Sequence, residues 1–523
     1  MVVATAPLAL LAWRAFVNGR MWLGVDGGPV IQDQMQYIGW IRETSEQVLI
    51  SNHYVAASTQ SSYLHPGALI SGLVARIGVA PSAGYLLWKP VATLALFGAV
   101  WAYVRNLVDA GTGRWLALVL ALFLLPPTTL IAGDKFSLVL AGGEVWPVDM
   151  LWGYYFSALG VAGIPATLLA YARDRRRGRP SLLTVLLGIG SGWLQPWSSA
   201  LLIGVIVAAE LLLVLARRRT AGVAEEARDP ALGQGVRAIV PLVSLSAVAA
   251  PLAYYTVLAQ VDPSWAVDNR VDDFLNPAWW AIVVTLGPLA LPALLIVRRP
   301  LVSFQDSAVR VWPGVALAMY VLLSQVYRGH YAVHAIRGLS IPLAVLAVTG
   351  LSTVAWGSRR RPALVAAVLV VLVLTVPATV DRLGQARDRI NDNRGPYFLT
   401  RGERDAFDFL DRSDLPGAVY SPLPMGAMVP AETGRHTTIG NLFWTPDFLR
   451  RRLFTDLVFA GRTKPAEARE IVRASGARFL LAGCEGTADL SEVLRPLLAS
   501  VRRYDCATVY VLRPSAVRDA GGF

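Results

Sequence analysis

The sequence predicts a polytopic α-helical membrane protein of about 11 transmembrane helices, with a water-soluble α/β domain outside the membrane at its C-terminal end. Three observations carry this. Of the 523 residues 54% are hydrophobic and 16% charged, and the mean hydropathy is +0.48, values of a chain that water alone does not dissolve. Apolar stretches of the length that crosses a hydrocarbon core, about 20 residues for roughly 30 Å, recur as far as residue 380 and then stop. Arginine runs fall between them at every second loop.

In order, the apolar stretches are 2–20, 83–104, 114–132, 151–172, 181–195, 197–216, 237–258, 278–297, 312–327, 338–356 and 362–380. The fifth is short, and Gln195-Pro196 marks the turn that separates it from the sixth. Arg173, Arg175, Arg176, Arg177 and Arg179 precede this pair and Arg217, Arg218 and Arg219 follow it. Both runs belong on the cytoplasmic side, which requires two crossings between them. The same rule puts Arg105 with Arg114, Arg298 with Arg299, and Arg359 with Arg360 and Arg361 inside. The N-terminus is then cytoplasmic, and residues 1–381 form the membrane module. A long first loop, 21–82, and a domain over 382–523 are extracytoplasmic. Arg14 and Arg20, near the outer end of the first stretch, oppose the rule; they need a polar cavity there, or the true start lies upstream. No cleavable signal peptide is expected, because the opening stretch lacks a basic leader and an A-x-A site.

The net charge of +12 resides largely in the arginine loops and reads as a topological device and an attraction to anionic lipid head groups; no nucleic acid partner is implied. Lysine occurs only as Lys89, Lys135 and Lys464 against abundant Ala, Arg, Gly and Val, the habit of GC-rich bacterial genes, so the expected location is a bacterial cell (inner) membrane. The two cysteines, Cys484 and Cys506, both fall in the external domain, where they either pair in an oxidising compartment or stay as two buried thiols. Zinc spacings, P-loops, Rossmann glycine fingerprints and G-x-S-x-G elbows are absent.

The first loop is long for a transporter. From Gln34 to Val48 the apolar residues Met35, Ile38, Ile41 and Val48 recur at helical spacing, and Leu69, Leu73, Val74 and Ile77 do so over 66–78. Two amphipathic helices lying on the membrane surface follow, joined by the polar stretch Ser51-Asn52-His53-Tyr54 to Ser61-Ser62-Tyr63-Leu64-His65. The external domain alternates helix 402–412, strand 417–421, helices near 446–459 and 465–475, strand 477–482, helix 488–499 and a hairpin through 513, a layered α/β pattern. Between its first two strands lies a polar, aromatic loop from Pro430 through Arg435-His436 to Phe443-Trp444-Thr-Pro446.

One transmembrane helix, an external loop with an acidic residue just before a juxtamembrane helix, many further helices and an external C-terminal domain resemble the GT-C superfamily. The local motif is Asp33-x3-Tyr37-x2-Trp40. The resemblance covers nearly the whole chain and implies a bacterial glycosyltransferase that takes a sugar from a polyprenyl-phosphate-linked donor and gives it to an envelope glycan, glycolipid or protein acceptor on the outer face, inverting the anomeric carbon. Many members carry two acidic residues close together in this loop. Here Asp26 and Asp33 are seven apart, which leaves the use of a divalent cation, Mg or Mn, open.

This chemistry assigns roles. Asp33 suits the base that takes the acceptor's proton, and it equally suits an N-cap of the helix beginning near Gln34. Asp26, beside Gly27-Gly28-Pro29, is either a second acid or a turn residue. The leaving phosphate calls for cations: Arg328 and Arg337 in the external segment 327–337, and Lys89 near the outer end of the second helix, which otherwise snorkels or faces a cavity. Glu144 and Asp149 are further acidic candidates. Tyr37, Trp146, His330, Arg435 and His436 are candidate acceptor or sugar contacts, and His330 with His334 shares a helical face that a metal could use. A transporter or flippase of lipid-linked sugars is the reading from another class, although the two halves share no duplicated pattern. A third is a non-catalytic envelope-assembly scaffold.

Overall fold

The computed structural model describes residues 1–57, 59–131, 136–220, 237–265, 276–326, 332–354, 360–392 and 396–517. Each apolar stretch holds a helix among its described residues. Nine described helices are long and apolar enough to cross a membrane: α4 (Pro81–Leu107), α5 (Thr112–Leu130), α7 (Tyr155–Arg177), α9 (Pro196–Arg218), α10 (Ile239–Val261), α11 (Trp279–Ile296), α12 (Phe304–Gln325), α13 (Ala332–Leu351) and α14 (Arg361–Asn391). The two shorter apolar helices are α1 (Val2–Asn18) and α8 (Leu182–Leu194). Helix α8 stops where sequence predicts, since Pro196 cannot continue it and instead opens α9. Helices α2 (Ile31–Thr44) and α3 (Pro66–Arg76) lie in the first loop, and α6 (Phe136–Val145) lies between α5 and α7. The chain is a multi-pass helical membrane protein.

It forms two compact units. The first comprises Met1–Ala4, Pro90–Thr256 and Asp272–Gln385. Helices α7 and α13 are its centre, 83% and 78% buried, whereas the other spans are 28–39% buried and keep the apolar outer faces that lipid covers. Small residues let its helices close up. A Cβ on Gly160 or Gly163 of α7 would stand 2.4 Å from Gln195 or 2.5 Å from Ser191, the close approach that packs helices in membranes.

The second unit comprises Thr5–Lys89, Val257–Val271 and Ala386–Phe523. It holds a four-stranded sheet in the order β3-β4-β6-β5, from β3 (Val419–Tyr420), β4 (Phe479–Ala482), β5 (Leu498–Tyr504) and β6 (Ala507–Leu512). Strands β3 and β4 run parallel and the other pairs antiparallel. Around them are α15 (Arg401–Arg412), α16 (Met425–Thr433), α17 (Phe448–Phe459) and α18 (Pro465–Ala474), with Tyr420, Val458, Val472, Leu480 and Tyr510 in the core. Helix α15 starts on a capping box, the Thr400 side chain accepting from Glu403 N–H and the Glu403 carboxylate from Thr400 N–H. Cys484 and Cys506 are joined, with Cα atoms 4.8 Å apart. Of the two readings of the cysteines, pairing is correct. A two-stranded pair, β1 (Met21–Trp22) with β2 (Phe398–Leu399), ties the first loop to the start of the C-terminal segment.

Three expectations are corrected. Helix 488–499 is a single turn, α19 (Ser491–Leu494), because Pro496 follows and the chain from Leu498 pairs with β6 instead. The stretch from Pro430 is not wholly loop: α16 runs through Pro430 to Thr433, with Ala427, Met428, Val429 and Ala431 buried. Helix α2 does not lie on a surface, since Ile31, Met35, Ile38, Trp40 and Ile41 are buried and it packs on α3 and α16. Helix α3 keeps Ile70 and Leu73 exposed, each 52%, as a surface helix does. The arginines that opposed the charge rule have partners within this unit: Arg14 donates to Asn391 Oδ1 at 2.9 Å and Arg20 to the Ile390 carbonyl at 3.3 Å.

Candidate functional site

Asp33 stands in the first turn of α2, half-buried. The N-cap is Val30, which makes no side-chain capping bond, so the expected cap role of Asp33 is overturned. The helix begins earlier because Ile31 is drawn into the core, 1% exposed. A carboxylate in the first turn still complements the positive end of a helix. The Asn441 amide Nδ2 donates to Asp33 Oδ1 at 3.2 Å and to Gln36 Oε1 at 2.6 Å. The same side chain, through Oδ1, accepts from the N–H groups of Phe443 and Trp444 at 2.8 and 3.3 Å. Residues 33 and 441 therefore meet across 408 positions of sequence.

The polar stretch after α2 is built on Glu43. Its carboxylate accepts from His53 Nε2 at 2.8 Å, from Ser51 Oγ at 2.9 Å and from Ser51 N–H at 3.0 Å. Burial raises the Glu43 carboxyl, but His53 and Ser51 outweigh it and hold it below its ordinary value. Asn52 donates to the Trp444 carbonyl at 2.9 Å and to the Ser264 carbonyl at 2.5 Å, and accepts from Tyr54 N–H at 2.9 Å. The Tyr54 ring lies on the backbone of Gly440, where an added Cβ would be 2.6 Å from two ring carbons; only glycine fits. His436 Nδ1 shares a hydrogen with the Val55 carbonyl at 2.9 Å and its ring meets His53 edge-on. Burial, with His53 beside it, keeps His436 below its ordinary pKa.

Asp26 and Lys89 are brought together. Both are buried, and the Lys89 ammonium is 2.5 Å from Asp26 Oδ2. Asp26 Oδ1 accepts from Gly27 N–H at 2.7 Å, so the turn reading also holds. Asp26 is thus engaged by Lys89 and Gly27, and Asp33 by Asn441. Among the described residues no three His, Cys, Asp or Glu side chains group as a cation's ligands. Tyr37, half-buried one turn beyond Asp33, stacks on Tyr85 at 5.8 Å and meets Trp40 edge-on at 5.4 Å. His65, buried in the same aromatic group, accepts Ala68 N–H at 3.0 Å as the cap of α3. Burial pushes it down to about 3.

In the first unit Glu144 receives Arg337 through two bonds, 2.6 and 2.8 Å, and His334 at 3.4 Å. Burial raises this carboxyl, yet the charges of Arg337 and His334 outweigh it and hold it at about 2. Two sequence candidates are thus partners of each other. Trp146 is wholly buried against Trp152 and has no face for a sugar, which corrects that expectation. Asp149 is half-buried in the 3-10 turn Pro147–Trp152. Arg328 and His330 lie outside the described residues. Arg435, in the second unit, is also corrected: its guanidinium donates to the carbonyls of Leu410, Ser413, Leu415 and Gly417 and covers the Phe479 ring, so it braces the turn after α15 and cannot reach out to an acceptor.

Sequence reasoning missed Asn441, Glu43 and Tyr54. Asn441 carries no local signal beyond a Gly-Asn turn, and its role exists only through a contact with α2.

No protein-family model matches the chain, and no curated protein matches it. Solved structures do. The archaeal oligosaccharyltransferase AglB from Archaeoglobus fulgidus, in complex with an inhibitory peptide and a dolichol-phosphate, aligns over 99% of this chain and 74% of its own at 11% identity and a TM-score of 0.50. ArnT from Cupriavidus metallidurans bound to undecaprenyl phosphate aligns over 98% and 99% at 14% identity and 0.48. At these identities the likeness to the archaeal oligosaccharyltransferase is one of fold alone.

Proposed function

We propose that the protein is an inverting glycosyltransferase that moves a sugar from a polyprenyl-phosphate donor to a hydroxyl of a cell-envelope acceptor on the outer face of a bacterial inner membrane. The observation that carries this reading is the half-buried Asp33 carboxylate at the start of α2, held by the amide of Asn441, on a GT-C fold. The acceptor oxygen attacks the anomeric carbon from the face opposite the phosphate, and a new C–O bond forms. The bond from that carbon to the phosphate oxygen breaks, its electron pair leaving with the polyprenyl phosphate. The acceptor's proton passes to Asp33. No step is routed through a metal.

The test is transfer of radiolabelled sugar from synthetic polyprenyl-phosphate donors to envelope extract by the wild type and by Asp33→Asn. A base contributes roughly 100- to 10,000-fold, so the variant should lose at least about 100-fold in kcat while its thermal unfolding stays near that of the wild type. Unchanged transfer by Asp33→Asn would remove Asp33 as the base. Absence of transfer by the wild type across the donors would remove the enzymatic reading.

A further inference from the structure

Tyr54 has a hydroxyl that the fold does not use. The side chain is 1% exposed, and its oxygen is buried with no hydrogen-bond partner among the described residues. Packing alone does not call for that oxygen, since phenylalanine would fill the same space on Gly440 without stranding a donor. Its position is specific. The ring rests on Gly440, and the next residue, Asn441, donates to Asp33. The backbone at Tyr54 is fixed by Asn52, whose amide also grips the Trp444 carbonyl, so phenol and carboxylate are held against one short segment, 440–444. Burial and the neighbouring Asp33 charge push the phenol well above its ordinary pKa. It stays a donor at every working pH.

We infer that Tyr54 and Asp33 together form the subsite for the acceptor's reacting hydroxyl, which donates its proton to Asp33 and accepts a hydrogen bond from the phenol. The chemistry selects the ligand. A group seated between a carboxylate and a phenol must donate to the first and accept from the second, which an alcohol does with one oxygen. A phosphate dianion has no proton for Asp33 and is repelled by it. The second lone pair of the alcohol remains for attack. The phenol oxygen is closed to bulk water. The subsite rests on Asp33 acting as the base.

Tyr54→Phe tests it, with wild type, Asp33→Asn and the double variant alongside in the labelled-sugar assay. The expected result is a kcat lower by roughly 10- to 100-fold, an unchanged KM for the polyprenyl-phosphate donor, and a Tm equal to or above that of the wild type, because a stranded buried donor has been removed. The double variant should transfer no more slowly than Asp33→Asn alone, as residues acting on one hydroxyl are not additive. If Asp33→Asn is inactive and Tyr54→Phe transfers at the wild-type rate, the subsite is wrong and the base stands. If Tyr54→Phe lowers Tm and kcat together, the hydroxyl is structural and the inference falls. If Asp33→Asn is active, or the wild type transfers nothing, the base and the subsite fall together.

Discussion

Two aspartates seven residues apart in one loop meet opposite fates. Around Asp26 burial is answered by charge: the carboxylate takes the Lys89 ammonium and the Gly27 N–H, and both partners are closed off from solvent. Asp33, a half-buried residue, accepts instead from a neutral group, the amide of Asn441. A carboxylate closed onto a buried ammonium is a strong fastener, and the contrast is what marks Asp33 as the proposed base.

The comparison breaks most visibly at the ion pair. Asp26→Asn leaves the Lys89 charge buried and should destabilise by about 3–5 kcal/mol, read as a fall in the denaturant midpoint. Asp26→Asn with Lys89→Met should recover most of it; if the single variant unfolds like the wild type, the pair holds nothing. A smaller loss is expected at the other aspartate. Asn441→Leu removes the bond to Asp33 and leaves the turn at 443–444 unaccepted, costing about 1–3 kcal/mol and also lowering sugar transfer, whereas Asp26→Asn in the refolded fraction should transfer normally. Equal specific activity in the two variants would erase the contrast. The smallest effect concerns His65. Its folded pKa of about 3 lies below its unfolded value, so the unfolded chain takes the proton first as pH falls through about 6.5. The stability present above that pH is then lost toward pH 3. At pH 5.5 the loss is about 1.4 kcal/mol. His65→Asn keeps a capping oxygen for Ala68 and should flatten that part of the slope between pH 6.5 and 5; an unchanged slope would show that His65 is not the neutral buried group.

The membrane helices were legible because hydrocarbon imposes a length and a composition on each of them separately, and Gln195-Pro196 showed even where two neighbours divide. Asp33 drew notice by its place before an amphipathic helix, but its geometry was not legible. Its cap role failed because Ile31, an apolar residue, set the start of α2. Arg435 and Trp146 misled for a common reason: polarity or aromaticity in an external segment looks available for a ligand until the carbonyls of 410–417 or the ring of Trp152 take it up. Asn441 was illegible, since nothing near it in sequence says that α2 lies against it. Long-range contacts made by side chains with no special local setting leave no periodicity to read.

The pairing of Met21–Trp22 with Phe398–Leu399, followed by the grip of Asn441 on Asp33, also sets a timetable. The ribosome delivers Asp33 early, then all the intervening helices, and only after residue 441 has emerged can the second unit close around it. A nascent or truncated chain already inserted in the bilayer therefore carries the Asp33 carboxylate without the amide that holds it.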